Sequence, residues 1–205
     1  MAEIELRAFV FIDRMQPQYA AYVGTTVQGD IPVSGMSQLF VEVAPGNEIF
    51  RLADIVLKSS QVKPASLVIE REFGMLEVHA FDQAAVISSG QAILDYLGVS
   101  IEQRKRPEVT SAQVISNVDP YQAQLINKFR KGAMLVPGET LFVMEVSPAA
   151  YIALAANEAE KATGLKIVDV RNVGRNGRLF VAGGQSEVLA AKEAAVAAIE
   201  GIGGR

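Results

Sequence analysis

Apolar and polar residues alternate along some stretches of the chain and recur every three or four positions along others, so strands and helices interleave from end to end. Residues 5–12 and 108–115 read as strands. Pro17 and Pro120 stand where a helix starts, because proline is tolerated in a first turn, and helical segments follow to about Val27 and Lys131. A glycine-bearing loop then leads to strands at 38–43 and 141–146. The clearest helices are 47–60, with Ile49, Leu52, Ala53, Val56 and Leu57 at helical spacing, and 149–163. In the latter, Ala150, Ala153, Ala156 and Ala159 make a small-residue face suited to close packing of a neighbour. Strands follow at 66–72 and 74–80, and again at 166–172 and 178–182, before closing helices from about 82 to 96 and 186 to 199. This order indicates an α+β sandwich in which each domain has one sheet covered by helices.

The same order appears twice because the chain repeats. Val43-Ala44-Pro45 aligns with Val146-Ser147-Pro148 at an offset of 103, and the frame holds without a gap for Pro17 and Pro120, Gly29 and Gly132, Gly35 and Gly138, Lys58 and Lys161, and Gly74 and Gly177. Two copies with so long a period are a duplicated domain, not a solenoid, whose units run about 20 to 50 residues. The expected division is 1–103 and 104–205, with the charged run Arg104-Lys105-Arg106 as a solvated linker near the boundary.

Composition narrows the function. Half of the residues are hydrophobic and a fifth are charged, enough for a packed core. Cysteine is absent, which removes disulfides, thiolate metal sites and cysteine nucleophiles together. The net charge of −4 leaves no basic stripe for nucleic acid. Residues 1–11 lack the form of a signal peptide, and no apolar run approaches the ~18 residues of a membrane span, so a cytoplasmic protein is expected. His79 is the sole histidine and lies beside Glu77 in an alternating strand. Alone it builds no metal site, and it is expected at a surface or interface. No serine has a companion histidine in a recognisable motif, and no pair of carboxylates can be placed in one cleft, so no catalytic set, metal or cofactor is expected. Residues 183–186, between a strand and a helix, lack the lysine and spacing of a phosphate loop and read as a tight helix-starting turn.

The tandem repeat, the segment Tyr121-Gln122-Ala123-Gln124-Leu125-Ile126-Asn127, the run from Ala150 to Lys161 and the turn Ile69-Glu70-Arg71-Glu72-Phe73-Gly74 together resemble the tandem-domain shell proteins of bacterial microcompartments. Within that family the likeness is to the circularly permuted, double-stacking type found in carboxysomes, and it covers essentially the whole chain. It implies two permuted, ferredoxin-like shell domains, a homotrimer whose six domains imitate a hexagonal tile, stacking of two trimers, contact with other shell proteins, and passage of small polar metabolites through a gated pore on the three-fold axis. The family's gating glutamate and arginine fall on Glu70 and Arg71, beside Glu72 and Phe73 in a turn expected to be closed by Gly74. The second copy has Val173, Gly174, Arg175 and Asn176 there, the lesser lining of the pore. Lys58 and Lys161 resemble edge lysines through which tiles meet, although the helix dipole alone favours a lysine at a helix C-terminus. Without the resemblance, Glu70 and Arg71 would read as an exposed pair worth ~0–1 kcal/mol. The other reading of the chain is a trimeric ferredoxin-like small-molecule sensor.

Overall fold

Alternation decides the two faces of each sheet. In the computed structural model, which describes residues 4–205, the first half runs β1 (Glu5–Ile12), α1 (Pro17–Gly24), β2 (Ser37–Ala44), α2 (Glu48–Ser59), β3 (Lys63–Glu70), β4 (Phe73–Ala80) and α3 (Gln83–Leu97). The second half repeats it as β5 (Glu108–Ile115), α4 (Pro120–Phe129), β6 (Thr140–Ser147), α5 (Ile152–Ala162), β7 (Lys166–Arg171), β8 (Gly177–Gly183) and α6 (Gln185–Glu200). Each half holds a four-stranded antiparallel sheet, in the orders β1-β2-β4-β3 and β5-β6-β8-β7. On one face of the first sheet Leu39, Val41, Val43, Leu76 and Val78 pack with Ile49, Leu52 and Val56 of α2 and Val86 and Ile93 of α3. Phe142, Met144, Val146, Leu179 and Val181 occupy the matching positions against α5 and α6. Each such side chain contributes ~1.5–3 kcal/mol when fully buried, which makes these faces the main source of stability.

The halves share a core across their seam. Ala8, Val10 and Ile12 of β1 and Tyr19, Ala20 and Val23 of α1 lie in one cluster with Tyr151, Ala153, Ala156 and Ala159 of the second half. The alanine face of α5 thus finds its close neighbours within the chain. Helix α1 is completed by the other half: Gln16 at its N-cap makes no side-chain cap, and the N–H groups of Gln18 and Tyr19 donate to the Glu160 carboxylate at 2.7 Å each. The Gln16 N–H donates to Asn157 Oδ1 at 2.9 Å. These are donors that a helix start leaves open. Helix α4 instead caps itself, with Asp119 accepting from the Tyr121 N–H at 2.8 Å.

Three expectations change. Residues 104–106 are not a solvated linker. Arg104 donates through Nη1 to the Phe9 carbonyl and through Nε to the Gly203 carbonyl, Lys105 pairs with Glu5 at 3.0 Å, and the Tyr151 hydroxyl donates to the Lys105 carbonyl. Leu57, placed on the apolar face of its helix by spacing, is 45% exposed. Gly74 does not close the turn; it lies inside β4, where a β-carbon would collide with the Gly46 carbonyl and with Ile49 at 2.8 Å. Gly177 is its counterpart in β8, against the Ala149 carbonyl and Ile152.

Gly74→Ala and Gly177→Ala should therefore each destabilise the fold by about 1–3 kcal/mol or more, since neither a carbonyl nor a β-branched residue on a helix can step aside cheaply. Gly164→Ala, where nothing lies within 4 Å of the added carbon, should be close to neutral. Chemical denaturation of the three variants checks the ranking, and equal midpoints would refute it.

Candidate functional site

Strands β3 and β4 pair to their very ends. Ile69 faces Gly74 and Glu70 faces Phe73, which leaves Arg71 and Glu72 as a two-residue turn. Arg71 takes the left-handed backbone at φ 56°, a conformation that costs a non-glycine residue about 1–2 kcal/mol. Its side chain is 90% exposed, with Nε 3.8 Å from Glu70 Oε1. So long and solvated a contact holds the pair only weakly.

In the second half the ladder stops two rungs earlier, at Arg171 opposite Arg178, and residues 172–176 form a longer loop. Val173 packs partly against the core, Arg175 is exposed, and Gly174 has φ 102°, a region open to glycine. A β-carbon at Gly174 would lie 3.8 Å from Glu70 Cγ. The fold thus brings the two loops named from the sequence, Glu70 to Phe73 and Val173 to Asn176, to one place on the molecule.

Lys58 and Lys161 stand elsewhere, in the last turns of α2 and α5. Both are mostly exposed and answered within their own helices, Lys58 by Asp54 at 2.7 Å and Lys161 by Glu158 at 3.3 Å.

His79 is neither at a surface nor at an interface: it is fully buried in the first half. Its Nδ1 lies 3.1 Å from Glu77 Oε1 and its Nε2 3.1 Å from Asp30 Oδ2, which also takes part in a carboxylate paired with Lys63 at 3.1 Å. Glu77 further accepts from the Gln38 amide and the Ala65 N–H, and Gln38 accepts from the Tyr19 hydroxyl. With a carboxylate at each ring nitrogen, both nitrogens must donate, so the imidazolium is the form the site satisfies. Burial opposes that charge, but the hydrogen bonds and charges of Glu77 and Asp30 outweigh it and raise the His79 pKa. The second half has Leu141, Phe180 and Ala182 where the first has Gln38, Glu77 and His79. Spacing along β4 puts Glu77 and His79 on one face, but only the loop bearing Asp30, remote in sequence, completes the cluster.

An open cavity of about 440 Å³ lies along the seam, lined among others by Tyr19, Tyr22, Phe129, Lys131, Asp169 and Arg171. The Arg171 guanidinium lies over the Phe129 ring at 4.6 Å while its Nε donates to buried Asp169 at 2.9 Å, which also accepts from the Tyr22 hydroxyl. At residues 183–186 the Glu187 carboxylate accepts from the Gly184 N–H at 3.0 Å, the helix-starting turn expected there. Among the described residues no group of three or more histidines, aspartates or glutamates is placed to hold a metal ion, and no helix is long and apolar enough to cross a membrane.

Residues 6–103 match the family model described as the CsoS1D N-terminal domain. The chain is 47% identical over 202 residues to the carboxysome shell protein CcmP of Synechococcus elongatus, covering 98% of this chain and 95% of that protein. The solved structure of the fused permuted hexameric shell protein MSM0275 from the RMM microcompartment superposes with a TM-score of 0.94 at 45% identity, over 97% of this chain and 99% of that one. The double ringed trimeric shell protein MSM0271 from the same microcompartment also gives 0.94, at 36% identity over 98% of each chain.

His79 should make stability depend on pH. Its pKa is raised in the fold above the ~6.5 of an unfolded histidine, so its contribution is full below that value and is lost as pH climbs through the folded pKa. Asp30 is shifted the other way, chiefly by its hydrogen bond to His79, so its contribution is lost only as pH falls through its depressed value. Thermal unfolding of the native protein should give a melting temperature that falls from pH 6 to pH 9, and His79→Gln should flatten that slope. A slope unchanged in the variant would rule out His79 as its source.

Proposed function

This chain belongs to the carboxysome shell-protein family that includes CcmP and CsoS1D, and from that premise we propose that three copies close into a pseudohexameric tile with a gated opening on the three-fold axis. It is a structural shell protein of a bacterial microcompartment and is placed in that shell. We read each half, 1–103 and 104–205, as one unit of the tile, and the chain as a structural component and not an enzyme.

One observation carries the trimer: the seam inside the chain is built once, and both of its surfaces recur, uncovered, at the far sides of the two halves. Strand β1 is buried along nearly all its length, whereas its counterpart β5 is exposed or half-buried throughout. On α5, Ala153 and Asn157 are fully buried at the seam and Glu160 reaches α1; their counterparts on α2 are Phe50, Asp54 and Leu57, all exposed. Helix α4, the counterpart of α1, shows Tyr121 at 78% and Leu125 at 63% exposure. A surface and its complement on opposite sides of one chain make a heterologous contact, which yields a ring wherever its rotation closes. Phe50 and Leu57 of one copy would then meet Tyr121 and Leu125 of the next.

At the axis of such a ring, Glu70, Arg71 and Glu72 would project from each of the three first halves. Glu70 and Arg71 are poorly held in the chain itself, so pairing across the axis competes easily with their mutual contact, and two arrangements of one charged ring open or close the path for small polar metabolites. Val173, Gly174, Arg175 and Asn176 would form the neighbouring wall. Lys58 and Lys161, exposed and tied only within their own helices, are free to lay their stems against adjoining shell proteins at the tile edge.

Leu125→Glu should convert the trimer to folded monomers, because it places a charge in the seam between copies and leaves the seam within the chain intact. Light scattering after gel filtration reads this directly, and a persistent trimer would overturn the proposed contact. Glu70→Ala with Arg71→Ala should leave the trimer whole and its axis open by electron cryomicroscopy; a closed axis would refute the gate. Lys58→Ala and Lys161→Ala should keep the trimer and reduce sheet formation, and undiminished sheets would remove the edge role.

A further inference from the structure

The two loops at the proposed gate are fastened by the same residue of the repeat in different ways. Glu145 of β6 faces the second loop directly. Its Oε1 accepts from the Asn176 side-chain amide at 2.6 Å, its Oε2 accepts from Arg178 Nε at 2.7 Å, and the Thr110 hydroxyl approaches Oε1 at 3.4 Å. Its repeat counterpart, Glu42 of β2, does not touch the first loop. Glu42 is buried, accepts from Arg7 Nε at 2.7 Å through Oε1, and accepts from the Ala150 N–H of the second half at 3.2 Å through Oε2. Arg7, also buried and 3.8 Å from Glu5, then spreads its guanidinium over the Phe73 ring, 3.6 Å from the centroid. Among the described residues, no side-chain hydrogen bond from another element reaches residues 70–72.

These fastenings differ in kind. A carboxylate that accepts from an amide on the loop is short and directional, and it fixes the loop in one place. A cation over a ring face attracts across a broad area and tolerates sliding of the ring, yet it is worth up to ~2 kcal/mol when desolvated. The first fastening suits a rigid wall, and the second suits a pivot. The ladder agrees: β3 and β4 stay paired up to Glu70 and Phe73, so the Arg71–Glu72 turn stands on a closed rung that carries Phe73, while the second loop, unpaired over residues 172–176, needs Asn176 to hold it.

We infer that Arg7, braced by Glu42 against the second half, is a positioning residue whose guanidinium holds Phe73 as the pivot of a moving hairpin tip at residues 70–72, and that Glu145 and Asn176 pin the second loop as a fixed wall. This rests on the gate proposed above and adds which part moves and what holds it. Opposite environments of the two glutamates fit the assignment: burial raises the Glu42 pKa against the pull of Arg7, whereas the Asn176 amide leads the groups that lower that of Glu145.

Hydrogen exchange of the assembled trimer, followed by mass spectrometry over peptides spanning 69–76 and 171–178, separates this from a plain packing role. Phe73→Leu, apolar but without a ring face, should raise exchange in the first peptide about tenfold, the weight of a partly desolvated cation–ring contact. Phe73→Tyr, which keeps the face, should leave it at the native rate. Asn176→Ala should raise exchange only in the second peptide. Equal rates in the leucine and tyrosine variants, or both peptides responding together to either change, would overturn the assignment. Should Phe73→Leu fail to assemble, Arg7→Lys serves in its place: the ammonium cannot hold Glu42 and lie flat on the ring together, and unchanged protection of residues 69–76 would again refute the pivot. Exchange is read whether or not the axis opens, so a failed gate and a failed pivot give separate results.

Discussion

Helix α1 cannot complete itself, and much of the molecule follows from that. It has eight residues, begins at a proline, and carries no side-chain cap of its own. Helices this short are marginal without outside support, and their first N–H groups are costly to leave unpaired beside a core. Glu160 and Asn157 supply the missing acceptors from the other half, and Tyr19, Ala20 and Val23 are buried in the same cluster as the alanines of α5. Pulling the halves apart would strip donors and apolar surface at once. The duplicated units therefore behave as one body, reinforced where residues 104–106 tie β1 and the segment at Gly203 to Tyr151.

The second copy of that surface was left to a different chemistry. Where Glu160 caps α1, its counterpart is Leu57, so α4 begins with Asp119, which caps it from within. Where Asn157 bonds to Gln16, the counterpart is Asp54, engaged by Lys58. A permanent seam tolerates acceptors that need fixed partners, because those partners are always present. A seam that forms only on association gains from surfaces that lose little when alone, and exposed Leu57, Leu125 and Tyr121 leave no polar atom unpaired in the free chain. The divergence between the halves is thus consistent with one contact made at folding and one made at assembly.

How far this was legible in the sequence depended on whether the signal was local. Strands β1 and β5 lie where alternation placed them, and the repeat frame carried the helices and both loops into matching positions. The turn at Arg71 and Glu72 was legible because three charges in a row interrupt two apolar strands, whereas the gating role proposed for Glu70 and Arg71 came from the resemblance and not from their own pattern. His79 was misread because its second carboxylate arrives from the loop at Asp30 and its first, Glu77, is held by Gln38 of β2, and an alternating strand looks the same whether its polar face meets water or a carboxylate. Gly74 was misread for a similar reason: a glycine after a charged turn looks like part of that turn, and only the approach of Gly46 and of Ile49 on α2 over the sheet face explains it. The basic run at 104–106 has the composition of a linker, and nothing in its own residues announces the carbonyls of Phe9 and Gly203 that Arg104 finds.

Duplication with divergence also bears on why a gate of this kind belongs in a fused chain. Six identical charged hairpins around one axis would crowd six copies of every like charge, and like charges at close range cost more as water is excluded. In the proposed tile only the three first halves present Glu70 and Arg71, and each has beside it a loop whose Gly174 carries no side chain. The 3.8 Å between the missing β-carbon of Gly174 and Glu70 Cγ is ordinary contact distance, so an alanine there would just touch Glu70 and a longer side chain would crowd it. Gly174 also needs its φ of 102°, which ties the empty space to the backbone and not to chance composition. In the proposed tile the glycine of one half would leave room beside the charge of the other, a division of roles that six identical subunits cannot make.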